Sequence, residues 1–394
     1  MEKIKILFAG DFSVRGEGVK NLYDEKMNEL SASVREATDN YDISMVNIET
    51  VFTDELTPVK KSGPTLAAPV KALDLLSKMG FTIGAFANNH TCDQGVDKGL
   101  NSVKMVADTG MLTVGCGRNL EEAARPVRIE KNGIKISFLN FAENEFTSAT
   151  ESSFGFSPMD FYDNGCMVRK EKEDCDFALV MLHAGSEQCP MPRTGLRKYC
   201  RHLIDSGADA VIISHPHTPQ GYEYYCGKPI VYSMGNFFMT KRSEEFTLWN
   251  VGYMADITIN EDRSISFAPV PYAFGSYGEY FEILKGDKKE IFLDYLNKLC
   301  GILLLDSEEY KKLEYSWSIS YMNAAWNNFL KEMAKDQSPD GEFMLFNKNA
   351  FCCETHAEVL GNFFEVLTTG RINDFEKQGK KISEWLRLPE GLKK

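Results

Sequence analysis

The chain has no run of apolar residues approaching the roughly 20 that a membrane-spanning helix needs. Its late apolar run, Gly301-Ile302-Leu303-Leu304-Leu305, stops at Asp306 and reads as core. It has no excess of basic charge. Lys and Arg number 44 against 57 Asp and Glu, a formal net charge of −13, and the basic residues are scattered, with short pairs such as Lys60-Lys61. That balance argues against nonspecific binding to nucleic acid or to an anionic membrane surface. Ten cysteines form no Cys-x-x-Cys, and Cys352 and Cys353 are adjacent. Irregular spacing in a long chain suggests reduced, mostly buried thiols. Internal repeats and low-complexity tracts are missing too. The first strand begins at once, Lys3-Ile4-Lys5-Ile6-Leu7-Phe8-Ala9, with no separate apolar region followed by a small-residue cleavage site. The expectation is a cytoplasmic protein, or an envelope-associated one if a signal or anchor has been removed. Histidine is scarce at six residues, so where they fall carries information.

What is present is ordinary for a globular protein: 43% hydrophobic and 26% charged residues over 394 positions, enough for two or three domains. The first part alternates strand and helix. Strands are expected at 4–9, 43–48, 81–86 and 112–114, with helices at 19–38, from Pro69 to Gly80, and at 96–107. Asn132-Gly133 between two apolar runs predicts a hairpin. Phe177 to Leu182 reads as a buried strand, followed by a helix at 194–206 and the strand 210–213. Gly221 to Ser233 and Tyr253 to Pro269 read as antiparallel pairs, the second turning at Glu261-Asp262. The pattern fits an α/β protein with a mixed sheet or two packed sheets and helices outside. Composition shifts near Gly275. From Lys288 onward the chain reads as mainly helical, with Gln337-Ser338-Pro339-Asp340-Gly341 as a loop between helices. The expected division is 1–275 and a helical appendage or small domain at 276–394.

Polar residues with ligand chemistry fall where apolar runs stop. Gly10-Asp11 closes the first, Asn47-Ile48-Glu49 the second, Ala87-Asn88-Asn89-His90 follows the third, His183 ends Phe177–Leu182, and Ser214-His215-Pro216-His217 ends Ala210–Ile213. Singly, each is more often a cap or a solvated end. In an open α/β sheet, however, ligands bind beyond the carboxyl ends of the strands. Five such ends supplying carboxylate, amide and imidazole groups outline a metal site. Two imidazoles one residue apart in an extended segment point to opposite sides, so each can serve a different ion. Cys92, inside this region, is expected to pack rather than react.

Taken together, Gly10-Asp11 with Arg15, Asn47-Ile48-Glu49, Ala87-Asn88-Asn89-His90 with Asp93 and Gly95, His183-x-Gly185-x-Glu187, Gly207-Ala208-Asp209 running to His215-Pro216-His217, and Tyr232 to Phe237 resemble the bacterial capsule-synthesis family. These are the CapA and PgsA proteins of poly-γ-glutamate production, a branch of the calcineurin-like metallophosphoesterases. The resemblance covers roughly residues 4–270. It implies a four-layer α/β/β/α sandwich and two divalent metal ions (Mn, Fe or Zn). Asp11 and His217 would bind one ion; Asn89, His183 and His215 the other; Glu49 would bridge them, where the wider superfamily has Asp. His90 would protonate the leaving group. Where the superfamily's first motif is Asp-x-His, this chain has Ser13 in the His position, a loss the branch generally shares.

The implied chemistry is phosphoester hydrolysis by a metal-bound hydroxide. The other reading is an accessory protein that binds or cleaves γ-glutamyl polymer. The partner is then a small anionic substrate or a γ-glutamyl oligomer, with no nucleic acid. Arg15 can clamp a phosphate or carboxylate or sit in a surface ion pair. Glu187 can orient His183, fill a metal position or recognise a substrate ammonium. Asn236 is a pocket hydrogen-bond donor or a turn residue.

Overall fold

The computed structural model describes residues 2–24, 26–61, 63–241, 244–333, 344–370 and 376–392. The predicted loop at 337–341 lies outside them.

Two sheets carry the molecule. The first has eight strands, in the order Phe281–Ile283, Ile265–Phe274, Val251–Ile259, Ile4–Ser13, Ile43–Ile48, Ile83–Ala85 and Leu112–Val114, with Asn236–Met239 pairing alongside Ile4–Ser13. The second has six, in the order Tyr222–Tyr225, Lys228–Val231, Ala210–Ser214, Phe177–His183, Ile134–Ala142 and Val127–Lys131. Ile4–Ser13, Ile43–Ile48, Ile83–Ala85 and Leu112–Val114 run parallel, as do Ile134–Ala142, Phe177–His183 and Ala210–Ser214. Antiparallel pairs flank both parallel sets, as the hairpin signals predict. At Asn132-Gly133 both residues have positive φ, 51° and 76°, the conformation the tight hairpin turn requires.

The strands are apolar on both faces because both faces are covered. In the first strand Ile4, Ile6 and Phe8 point to one core and Leu7 and Ala9 to another. The inner core joins these residues to Phe138, Leu179 and Met181 of the second sheet. The outer core packs Leu7, Val46 and Ile48 against Leu30 and Val34 of the helix Lys26–Thr38 and Leu75 and Leu76 of Ala72–Lys78. Leu196, Tyr199 and Leu203 of the helix Thr194–Asp205 cover the far side of the second sheet. The layers are therefore helix, sheet, sheet, helix, the α/β/β/α sandwich expected.

Some elements differ from the sequence reading. The helix read at 19–38 is two pieces, Gly18–Asn21 and Lys26–Thr38. The helix Phe161–Asp174 was not foreseen; its apolar content is low, with Gly165 and Val168 among its few buried positions, and its start is set by the Asp160 cap. The last strand of the first sheet, Phe281–Ile283, lies beyond residue 275. The C-terminal helices Gly286–Ile302, Ser307–Met333 and Glu376–Trp385 share the inner core through Phe292, Leu299, Leu313 and Ile382.

Candidate metal centre

The carboxyl ends of the parallel strands in both sheets meet at one place. A register shift on either side of Asp11 marks a bulge in the first strand, a device that re-aims a side chain out of the regular pleat. Gly10 permits it: a Cβ there would lie 2.1 Å from the Gly235 carbonyl oxygen, so only glycine lets that backbone approach. Asn47 Nδ2 donates to Asp11 Oδ1 at 2.7 Å, and the His215 backbone N–H donates to Asp11 Oδ2 at 3.2 Å.

Two clusters form. Asp11, Glu49 and His217 bring one ligand atom each within 4.8 Å of one another, and so do Glu49, His183 and His215. Glu49 belongs to both. Asn89 joins the second: its Oδ1 lies 3.0 Å from His183 Nε2, which is 2.9 Å from His215 Nδ1. All six candidate ligands are buried.

His215 and His217 are placed differently from the extended segment that the sequence suggests. Both have positive φ, 104° and 56°, a region that costs a side-chain-bearing residue energy. A tight turn, not strand alternation, sends the two rings into different clusters. Asn236 Oδ1 sits 2.8 Å from His217 Nδ1. A proton held between them on Nδ1 leaves Nε2, 3.6 Å from Glu49 Oε1, free for an ion.

The electrostatics are those of a site that wants cations. Neither oxygen of Glu49 has a hydrogen-bond partner among the described residues, although the side chain is fully buried. Burial, followed by the neighbouring Asp11 carboxylate, pushes Glu49 well above the usual carboxylate range. Burial would also raise Asp11, but His217 and His183 outweigh it and hold the group well below that range. Burial holds His183 well below its usual value and lowers His215, keeping both neutral, as metal ligands must be. Burial opposes protonation of His217 too, but the adjacent Asp11 carboxylate wins and raises it. An orphaned carboxylate among imidazole and amide ligand groups fits a divalent metal ion.

His90 points inward. Its Nδ1 meets Asp93 Oδ2 at 2.5 Å, leaving Nε2 3.5 Å from Glu49 Oε1. Burial and then the Lys61 ammonium push His90 down to about 4, against the pull of Asp93. Lys61 was not singled out from sequence; it is buried, paired with Asp93, and donates to the Asn89 carbonyl at 3.1 Å. Arg15 lies further out: its guanidinium sits 5.6 Å from the centre of the Trp249 ring, which packs against His217 at 4.8 Å, and its Nε donates to the Thr240 carbonyl. Ser13, two residues after Asp11 on the same strand, is buried, and its hydroxyl has no hydrogen-bond partner among the described residues. Cys92 is buried, its thiol pushed up to about 12 by that burial, so it packs.

The site opens into a cavity of about 550 Å³. Asn89, His90 and His215 form its floor, with Glu187 on its wall. Tyr321, Asn349 and His356, on the C-terminal helices Ser307–Met333, Met344–Cys352 and Glu354–Thr369, form its roof. Arg193 clamps that roof to the sandwich. It pairs with Glu143, with Glu358 at 2.8 Å, and donates to Thr355 Oγ1 at 2.8 Å. Glu143 and Glu145, which follow the strand Ile134–Ala142, are further strand-end carboxylates that the same rule could have found.

The fold and the clustered acids and imidazoles define an α/β/β/α sandwich with a buried candidate metal centre. The family model described as bacterial capsule synthesis protein PGA_cap matches residues 5–241, more than half of the chain, and the chain belongs to that family. It is 31% identical over 170 residues to the PGA biosynthesis protein CapA of Bacillus subtilis (strain 168), covering 42% of this chain and 45% of the relative. It is 26% identical over 178 residues to the capsule biosynthesis protein CapA of Bacillus anthracis, covering 44% and 43%. These matches span less than half the length of either relative. Among solved structures, a putative 5'-nucleotidase from Staphylococcus aureus in complex with alpha-ketoglutarate aligns with a TM-score of 0.45 at 12% identity, over 75% of this chain and 58% of its own.

Proposed function

We propose that this protein is a metal-dependent hydrolase of phosphoesters, built on residues 1–275 with 276–394 as a helical region over the site. Glu49 carries the reading: a fully buried carboxylate without a hydrogen bond, shared by two ligand clusters. Asp11 and His217 would hold one divalent ion (Mn, Fe or Zn), and Asn89, His183 and His215 the other, with Glu49 between. Such a pair supplies an activated water at neutral pH and stabilises charge on the entering and leaving oxygens.

The chain's own residues do the rest. Asn47 and Asn236 orient Asp11 and His217. His90, with Nδ1 held by Asp93, presents Nε2 toward the reacting group. The approach of an anionic ester raises His90 again, so that Nε2 can carry the proton the leaving oxygen takes as the P–O bond breaks. Arg15 and Glu187 complete the surroundings, Arg15 for an anionic group of the substrate and Glu187 at the exposed rim.

A second reading comes from the relatives, whose names place them in PGA and capsule biosynthesis: the same centre would bind or cleave γ-glutamyl polymer. The test is elemental analysis of the purified protein, then turnover of phosphomonoesters, phosphodiesters and γ-glutamyl peptides with added Mn²⁺. Bound metal with phosphoester turnover is expected. Turnover of γ-glutamyl peptides alone would favour the second reading. Metal-free protein inactive on every class, with unchanged stability in His217→Ala, would overturn both.

A further inference from the structure

The cavity wall beyond the metal centre has a one-sided chemistry. Glu145 is only 5% exposed, and its sole ion pair among the described residues is with His215 Nε2 at 3.8 Å, longer than a hydrogen bond. On the roof of the same cavity, Asn349 is 6% exposed, and its Oδ1 is buried with no hydrogen-bond partner among the described residues. Glu187 adds a third acceptor at the rim. The basic groups nearby have partners of their own: Lys61 is paired with Asp93, Arg193 is held by Glu143 and Glu358, and the His356 imidazole, which also faces Glu145, has Nδ1 3.3 Å from the Asn349 carbonyl oxygen. Glu145 and the Asn349 Oδ1 are therefore buried acceptors with no hydrogen-bond donor among the described residues. The rest of the cavity lining mixes apolar Phe146, Met322 and Val359 with Tyr321, Thr355 and His356.

We infer that this cavity takes a compact substrate whose reacting anionic end lies on the metal centre and whose far end carries a primary ammonium, held by Glu145 and Asn349. A buried acceptor left unpaired is costly, and an ammonium supplies three N–H donors and the charge to match a carboxylate. Lateral room points the same way. About 550 Å³ beneath a helical roof suits a small molecule or a chain end. An internal stretch of a polyanion would bring its carboxylates against Glu145 and Glu187, where like charges repel. The inference rests on the hydrolase reading for the reacting end of the ligand, and on the cavity wall alone for the ammonium end.

The test uses two matched esters, O-phosphoethanolamine and propyl phosphate, which differ in an ammonium against a methyl group. Binding of each to the full chain saturated with Mn²⁺ is measured by calorimetry, alongside metal content. Phosphoethanolamine is expected to bind about tenfold more tightly or better, as a charge-assisted hydrogen bond to a desolvated carboxylate provides. Glu145→Gln, close to isosteric, and Asn349→Leu, on a different element, should each reduce that preference. Equal binding of the two esters overturns the inference, even where metal content and phosphoester turnover stand. So does a preference that survives in both variants, or no measurable binding of either ester. A protein that takes up no metal overturns the hydrolase reading instead; the ammonium preference is then read from the same pair of esters on the unloaded chain.

Discussion

Replacing Glu49 with methionine separates a metal ligand from a structural acid. Glu49 is fully buried, and both its oxygens lack partners among the described residues. A buried polar group left unsatisfied costs about 1–3 kcal/mol, and an apolar side chain of similar volume removes that cost. In EDTA, Glu49→Met should therefore be more stable than the wild type by about 1–3 kcal/mol. With metal the order changes. An ion at a hundred times its Kd stabilises the wild type by about 2.7 kcal/mol, whereas the variant, having lost the ligand shared by both clusters, should gain little. Acidity adds a second signature. Burial and Asp11 raise Glu49 in the folded state, so its favourable contribution is complete below the ordinary carboxylate value and is lost as pH rises toward the raised one. The metal-free wild type should lose stability over that interval, and the variant should not. Urea midpoints at constant slope, with EDTA and with Mn²⁺, read all three effects. A variant less stable than the wild type in EDTA, or one that keeps the full gain from Mn²⁺, would refute the reasoning.

Other residues give separable outcomes. His90→Ala should keep its metal, because His90 belongs to neither ligand cluster, yet lose about 10²–10⁴-fold in turnover as a proton donor does; elemental analysis beside steady-state kinetics checks both halves. Asn236→Ala frees the His217 ring and should weaken metal binding about 10–100-fold, read by competition with a chelator. Arg193→Met leaves Glu143 and Glu358 without their cation, a loss of about 3–5 kcal/mol for a buried pair. Hydrogen exchange should then quicken in Glu354–Thr369 before it does in the sheets. Glu223 is held below the usual range because Arg201 and Tyr232 outweigh its burial. Its contribution is present above the ordinary carboxylate value and lost as pH falls through the lowered one, so Glu223→Gln should flatten the acid limb of a stability–pH profile.

Much of the site was legible in one dimension. Strand ends are visible as the points where apolar runs stop, and a parallel sheet gathers its carboxyl ends on one edge. Asp11, Glu49, Asn89, His183, His215 and His217 could be named on that ground, and they do converge. Glu143 and Glu145 follow the same rule after Ile134–Ala142, the second strand of the Asn132-Gly133 hairpin. The helix Phe161–Asp174 escaped because its apolar stripe is thin.

Local sequence thus determined the alternation of strands and helices, the hairpin at Asn132-Gly133 and the ligand types on offer, since these follow from periodicity and turn chemistry between near neighbours. The tertiary structure alone decided three things. His215 and His217 part company through left-handed backbone, a conformation no apolar pattern reports. Lys61 comes to lie against Asp93 and His90, about thirty residues away along the chain. Helices beyond residue 300 close over the centre, held by Arg193 to Glu143 and Glu358. Each of these depends on groups distant in sequence meeting in a desolvated space, where an unmatched charge is expensive and position is therefore set by partners rather than by neighbours.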